Sequence, residues 1–418
     1  MEFVRNGLSP HALIPLAHLV QLSFINHYPL WALGALFTLG WIATLSALRQ
    51  MRHGHDRNRR LESEPYISFP VSILKPLKDL EDGIEESLES FFTLDYPCYE
   101  ILFSVRDPED PVCAVVQSLM DQYPDVDARL IIGRAEVGQN PKVNNLILGY
   151  RLAQHDFILI CDSSIRADRY FLRRMASYME SNVGLVTALV AGENGEGLGG
   201  VLETVSLNTY YLKWTYLARS LKLPFFAGKV MLFRRSVADK FGGLSALGGF
   251  LAEDYLLAKS IRNLGLKVAI QAEPVVQEVG YREFKDYWSR HLRWGRIRKS
   301  IAPVAFFLEP IAGPAFWTLV LFAVLDSSRA VNSALILWGA WGLGDFLLLG
   351  ITANGLSIET VIGWLLRELL VIPLWAHTLA GNTVCWKGTR LKLGHDTRLL
   401  EPRRPRHSRA GWLSPVRR

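Results

Sequence analysis

Between Asn6 and Leu48 the chain has no Asp, Glu, Lys or Arg, and its 418 residues hold only four cysteines with no CxxC pair. The first absence is incompatible with an ordinary soluble N-terminus. Residues 29–48 supply the roughly 20 apolar residues that a bilayer core requires. The run starts too late, is too long and lacks the small-x-small site of a cleaved signal peptide, so it reads as a spanning anchor. The shorter apolar stretch 11–24 reads as an interfacial segment or as a helix packed beside the anchor. Scattered Cys98, Cys113, Cys161 and Cys385 exclude a disulfide framework or a cysteine zinc site and imply reduced thiols. No internal repeat is present, which removes the solenoid architectures.

Charge of one sign is concentrated rather than spread. The formal net charge is +6, yet the segment from Lys387 onward carries ten Lys/Arg against Asp396 and Glu401, so the remainder is slightly acidic. That pattern flanks a membrane and excludes a nucleic-acid-binding face. Arg49, Arg52, Arg57, Arg59 and Arg60 follow the anchor against a single Asp56. By the positive-inside rule the region after them lies in the cytosol. Three further apolar stretches cover residues 311–325, 331–350 and 361–380, interrupted by Asp345 and by Arg367 with Glu368, groups that are costly at bilayer depth unless paired. A cytosolic C-terminus requires an even number of crossings there: two spans plus one re-entrant or interfacial helix. The resulting division is a membrane anchor with a basic juxtamembrane segment (1–60), a cytosolic domain (61–300), C-terminal membrane helices (301–386) and a basic cytosolic tail (387–418), disordered from Glu401.

Within the second region, short apolar runs at 71–74, 100–105, 129–132, 157–161 and 185–190 alternate with helical segments at 81–92, 112–122, 144–153 and 167–179. Continuous apolar strands separated by amphipathic helices predict an α/β domain with a parallel sheet covered on both faces. Such sheets bind ligands at the carboxyl ends of their strands. Two strands run into acids at that edge, Asp107 in RDPED (106–110) and Asp162 in DSS (162–164); each alone also suits a helix N-cap. The word NPKVNN (140–145) opens the intervening helix. Its Lys142 and Asn145 offer an anion or uracil contact at a helix N-terminus, or ordinary capping. Asp254, in GGFLAEDY (248–255), precedes RHLRW (290–294) by 36 residues. An acid opening one helix and an Arg290/Arg293/Trp294 cluster on another suit the deprotonation of a hydroxyl beside a diphosphate leaving group. With Tyr287, Trp288, Arg296, Arg298 and Lys299 nearby, the same helix also suits a membrane surface. Both readings hold together if a lipid acceptor enters from that surface.

Asp107, Asp162, Asp254 and RHLRW in this order resemble the signature of the GT-A, family-2-like glycosyltransferases, three aspartates followed by (Q/R)xxRW. The words ILKPL (73–77), LDYP (94–97), NPKVNNL (140–146), ICDSSIR (160–166) and AEDY (252–255) are similar more closely to the ceramide glucosyltransferase family, over residues 68–294. The resemblance implies a cytosolic Rossmann-like GT-A domain of an integral membrane protein, in a bacterial inner membrane or a Golgi or ER membrane. It implies inverting transfer of glucose from UDP-glucose to the primary hydroxyl of ceramide. It places Asp107 at the nucleotide, with Lys142 and Asn145 as further donor contacts. Asp162 would hold a divalent cation (Mg or Mn) on the diphosphate, Asp254 would act as base, and Arg290, Arg293 and Trp294 would close on diphosphate and acceptor. Ser164 departs from the second acid of an Asp-x-Asp pair, leaving a single acidic ligand. Alternatives are a hopanoid-associated lipid glycosyltransferase using a UDP-amino sugar, a processive polysaccharide synthase, and a non-catalytic sugar-nucleotide sensor.

Overall fold

The computed structural model describes residues 13–63, 66, 68–223, 228–352, 355–386 and 389–400, without the side chains of residues 13–33, 36, 62–63 and 386. Part of the expected segment 11–24, most side chains in the first part of the expected anchor 29–48, and the end from Glu401 therefore lie outside the described residues. An eight-stranded mixed sheet organises the catalytic region. Its strands are β1 (Val71–Leu77), β2 (Tyr99–Val105), β3 (Ala128–Ile132), β4 (Phe157–Cys161), β5 (Ile165–Arg166), β6 (Val183–Glu196), β7 (Val230–Arg234) and β8 (Lys267–Tyr281), in the order β3-β2-β1-β4-β7-β6-β8-β5. β1, β2, β3 and β4 pair in parallel, as do β6 and β8. β1, β2 and β4 are buried nearly throughout, which is why they read as unbroken apolar runs.

The expectation of a purely parallel sheet needs correction. β7 runs antiparallel to both β4 and β6, and β5 runs antiparallel to β8. β7 follows a long helical excursion, Gly197–Val205, Ser206–Tyr211 and Leu212–Ser220, and re-enters the sheet in the opposite sense. The sequence pattern missed β7, and it missed β8 because Lys, Gln, Glu and Pro interrupt its apolar positions. The reversal matters for the site: the start of β7 lies beside the carboxyl end of β4, where Asp162 N donates to Lys229 O at 2.9 Å.

One helix, Leu13–Ser63, carries the chain from its apolar segment into this domain. Gly40, Ala43, Thr44 and Ala47 are buried on it, while Leu39, Ile42 and Leu45 are exposed. The small face meets the helix Ser327–Thr352: a side chain at Gly40 would collide with the Trp341 ring, and one at Gly344 would crowd Thr44. Small residues let the two backbones approach, as in packed membrane helices. Further along, Gln50 Nε2 donates to Tyr216 O at 2.8 Å and Arg57 to Ser177 O at 3.0 Å, fixing the helix to the catalytic domain.

Among the described residues, Ser327–Thr352 is long and apolar enough to cross a membrane, with a mean hydropathy of 1.7 over its best window. The pair Pro303–Ala312 and Pro314–Val324 meets the same standard only when taken together, bent by 66°. The ionisable interruptions are paired: Lys213 Nζ lies 2.6 Å from Asp345 Oδ1, Trp364 Nε1 donates to Asp345 Oδ2 at 2.8 Å, and Arg367 pairs with Glu368. Residues 389–400, within the expected basic tail, contain strands. Thr389–Leu393 (β10) pairs with Thr383–Trp386 (β9) and with Leu399–Leu400 (β11) in a separate antiparallel sheet. Leu391, Leu393 and Leu399 bury a common apolar face with Val384, Leu251 and Ile297, which outweighs the basic composition of the segment.

Asp345→Ala is expected to leave Lys213 buried and unpaired and to destabilise the detergent-solubilised protein by about 3–5 kcal/mol. Thermal unfolding of this variant beside a Lys213→Met/Asp345→Leu double variant checks it, because the double variant should recover most of the loss.

Candidate active site

Parallel β1, β2 and β4 present their carboxyl ends on one edge, and the helix Pro141–Leu152 begins there. Asn140 caps it, its Oδ1 accepting from Lys142 N at 2.9 Å and Val143 N at 3.4 Å. Pro141 at the first helical position suits the missing N–H. Asn144 secures the preceding loop, accepting from Val137 N at 2.9 Å and donating to Gly138 O at 2.8 Å. Asn145 Nδ2 donates to Leu77 O at 3.0 Å and ties the helix to β1. Gly138 in turn lies against Gly248, whose carbonyl would sit 2.1 Å from a side-chain carbon at position 138, so only glycine allows this approach. Asn140 also reaches across to Phe250 O at 2.7 Å and to Glu253 Oε2 at 3.1 Å. Two loops distant in sequence are thereby locked together just before Asp254.

Lys142 stands at the centre. Its Nζ lies 2.9 Å from Asp162 Oδ1 and 3.0 Å from Glu253 Oε1, and donates to Gly228 O at 3.3 Å. Burial opposes its charge, but the Asp162 and Glu253 carboxylates outweigh that and hold its pKa above the ordinary lysine value. For Asp162, burial pushes upward while Lys142 and Lys229 pull its pKa below the usual range. Lys229 Nζ lies 3.8 Å from Asp162 Oδ2, and burial lowers its pKa to about 8. Lys75, wholly buried over the Phe91 ring at 3.6 Å, donates to Asp162 O at 3.2 Å and fixes the strand end.

Asp254 opens the helix Glu253–Asn263. Burial first, then the charge of neighbouring Glu253, raises its pKa to about 6. Gly228 closes against it: a side-chain carbon there would lie 2.2 Å from Asp254 Oδ2. A carboxylate poised near neutrality in a cationic pocket is suited to accept a proton.

The helix Phe284–Ile301 brings the arginines to this pocket. Glu203, fully buried on Gly197–Val205, accepts from Arg290 at 3.4 Å and lies 3.1 Å from His291 Nε2. Burial opposes its ionisation, yet Arg290 and His291 hold its pKa well below the usual carboxylate range. Burial and then the charge of Arg290 lower the Arg293 pKa to about 10, with Glu203, Asp162 and Glu253 acting in the other direction. Trp294 packs edge-on to Tyr211 at 5.4 Å. Tyr211 ends the π-helical turn Ser206–Tyr211, a distortion frequent at functional sites.

The structure thus joins Lys142, Asp162, Asp254, Arg290 and Arg293 in one charged pocket, with Trp294 on the same helix. Asp107 lies on the same sheet edge but is exposed, its Oδ1 accepting only the local Glu109 N at 3.1 Å. Neither Asp107 nor Asp162 caps a helix. Ser164 serves the backbone, its carbonyl accepting from Glu278 N at 2.8 Å.

A family model described as glycosyl transferase family 21 matches residues 39–399. The chain belongs to that family. It is similar to ceramide glucosyltransferase 3 of Caenorhabditis elegans, at 31% identity over 342 residues that span 80% of this chain and 74% of that one. It is 26% identical to ceramide glucosyltransferase 1 of the same organism, over 96% of this chain and 84% of that one. A mannosyltransferase from Pyrobaculum calidifontis, solved with GDP-Man and Mn2+, superposes loosely, with a TM-score of 0.46 at 18% identity over 80% of this chain and 99% of that one.

Four residues of this family-21 transferase escaped the sequence reading: Glu203, Gly228, Lys229 and Glu253. Glu203 carried a signal, a lone acid within the apolar run GLGGVLETV. Gly228 and Lys229 carried none, because only the antiparallel entry of β7 brings them to Asp162. Among the described residues no group of three or more His, Cys, Asp or Glu could hold a metal ion. A single carboxylate completed by substrate phosphates and water is nevertheless a donor set that Mg2+ accepts, and Asp162 fits that requirement once Lys142 yields Oδ1.

Gly228→Ala is expected to push the Asp254 carboxylate aside and cut turnover by about 10²-fold, the scale of a misplacement near 1 Å, with little change in melting temperature. Steady-state kinetics beside thermal unfolding checks this; wild-type turnover in the variant would show that Asp254 tolerates displacement.

Proposed function

We propose that the protein is a GT-A, membrane-bound, inverting transferase that moves glucose from UDP-glucose to the primary hydroxyl of ceramide, giving glucosylceramide. The observation that carries the chemistry is the carboxylate of Asp254, raised to about 6 beside a cluster of half-buried cations. The assignment of donor and acceptor is supported by membership in family 21 and by relatives named ceramide glucosyltransferase.

In this mechanism Asp254 takes the proton of the acceptor hydroxyl as its oxygen bonds to the sugar C1 from the face opposite UDP. The C1–O bond to the diphosphate breaks with inversion, and its electron pair leaves on UDP. Lys229, Arg290 and Arg293 neutralise the developing charge, with Glu203 holding Arg290 in place. Asp162 would hold a divalent cation, Mg2+ or Mn2+, which supplies Lewis-acid stabilisation to the departing diphosphate. Lys142 passes from its two carboxylates to the incoming phosphates, and exposed Asp107 and helix-bound Asn145 border the nucleotide. Trp294 flanks the acceptor side. We place the domain on the cytosolic face, anchored by residues 29–48 and by the C-terminal helices, so that the Phe284–Ile301 helix lies at the lipid surface. No nucleic acid takes part.

The direct test supplies membranes carrying the protein with labelled UDP-glucose, other UDP-hexoses and UDP-amino sugars against ceramide and other lipids. Glucosylceramide is the expected product, and transfer only from an amino sugar to another lipid would overturn the assignment. Asp254→Asn is expected to lower kcat by about 10²- to 10⁴-fold while UDP-glucose still binds. In the wild type, kcat should fall as pH drops below about 6, because Asp254 then becomes protonated and can no longer accept a proton. A pH profile flat down to 5 would remove Asp254 from that role. Arg293→Lys keeps the charge but loses the planar fork, so kcat should drop with membrane attachment unchanged.

A further inference from the structure

The geometry points to Thr397 as a positioning residue for the reaction, the centre of a C-terminal strap that ties the loop carrying Asp254 to the helix carrying Arg290 and Arg293. This inference rests on the proposed role of Asp254. Three bonds meet at Thr397, which is fully buried. Its carbonyl accepts from Leu251 N at 3.0 Å, and its Oγ1 accepts from Ala252 N at 3.2 Å, two residues before Asp254. Its own N–H donates to Ser300 Oγ at 3.2 Å, on the last turn of Phe284–Ile301. Ser300 in turn donates to Gly394 O at 3.3 Å.

Neighbouring contacts extend the strap on both sides. Leu399 N donates to Gly249 O at 2.8 Å, and Phe250 bridges Arg398 in antiparallel fashion. Lys259, on the helix that Asp254 opens, pairs with Asp396 at 2.9 Å. Beneath these bonds, Leu251 from the loop, Ile297 from the arginine helix, and Val384, Leu391, Leu393 and Leu399 form one apolar cluster. The strap therefore connects two catalytic elements that share no strand pairing, through both hydrogen bonds and burial.

Backbone conformation gives an independent reason to regard the arrangement as built for position. Asp396 and Thr397 both have positive φ, 51° and 61°. Consecutive left-handed residues without glycine are rare, and a β-branched side chain makes the second more costly. Such strain persists where surrounding contacts over-determine it, and it concentrates at functional sites. A glycine at 397 would relieve φ but would remove the hydroxyl that receives Ala252 N. Threonine keeps the hydroxyl at the expense of strain. The Asn140 bonds to Phe250 O and Glu253 hold the opposite side of the same loop, so the strap and the Lys142 helix grip it between them.

The test compares Thr397→Val, which keeps shape and removes the acceptor, with Thr397→Ser, which keeps the acceptor, in the full-length membrane protein. Thr397→Val is expected to lower kcat for glucosylceramide formation about tenfold, the size of one buried amide left without an acceptor. Its KM for UDP-glucose should stay within about twofold. Thr397→Ser should retain at least half of the wild-type kcat, and hydrogen exchange at the Leu251 and Ala252 amides should quicken only in the valine variant. If Thr397→Val fails to accumulate, Ser300→Ala, which removes the other end of the bridge, should lower kcat in the same sense by a smaller factor. Equal losses in the serine and valine variants, following melting temperature, would reduce Thr397 to a packing residue. Wild-type kcat in the valine variant would overturn the proposal as well. A wild-type protein inactive on UDP-glucose and ceramide would instead defeat the proposed function, while the exchange comparison would still decide whether the strap holds the loop.

Discussion

The ammonium of Lys142, held between Asp162 and Glu253, is the interaction on which the geometry of the site depends. Those carboxylates come from the end of a strand and from the start of a helix 91 residues further along the chain. Without the lysine, Glu253 would lose its ion-pair partner and Asp162 would keep only the more distant Lys229, so the three groups enforce one another's position. Asn140, two residues earlier at the helix cap, extends the lock to Glu253 and Phe250. Asp254 is thereby placed next to a carboxylate that is paired with a lysine. Burial and then the charge of Glu253 raise its pKa, with Lys142 and the N–H of Tyr255, which donates to its Oδ1 at 2.8 Å, acting in the other direction.

A second layer of constraint comes from the excursion between β6 and β7. It contributes Glu203, which anchors the arginine helix, and the π-turn whose Tyr211 meets Trp294. It also supplies Lys213, which pairs with Asp345 on the apolar helix Ser327–Thr352. One helical insertion thus links the charged cluster to the apolar helix Ser327–Thr352.

The C-terminal residues complete the enclosure. Composition alone marks 387–400 as part of a basic tail, yet alternate leucines on β10 and β11 turn inward and bury against Leu251 and Ile297. The burial explains how a segment rich in lysine and arginine is retained: its charged side chains face outward along the strands while the apolar ones seal the loop before Asp254.

Several members of the charged cluster were legible in the sequence, because Asp162 follows a strand, Asp254 opens a helix and RHLRW lies within one, where local hydrophobic pattern marks those elements. The strands that read as continuous apolar runs, β2 and β4, were placed within one residue for the same reason. Pairing partners were a different matter. Glu203, Gly228, Lys229 and Glu253 gain their roles only when β7 turns antiparallel and the excursion folds back, and no local period encodes that direction. Asp107 illustrates the converse, a residue with a clear motif that the fold leaves exposed at the rim. By itself the sequence determined the α/β class, the charged groups and the apolar segments, since these follow from composition and short-range periodicity. Only the tertiary structure decided which charge meets which, because burial and Coulomb energy depend on distances between residues far apart in the chain, 132 positions for Lys213 and Asp345.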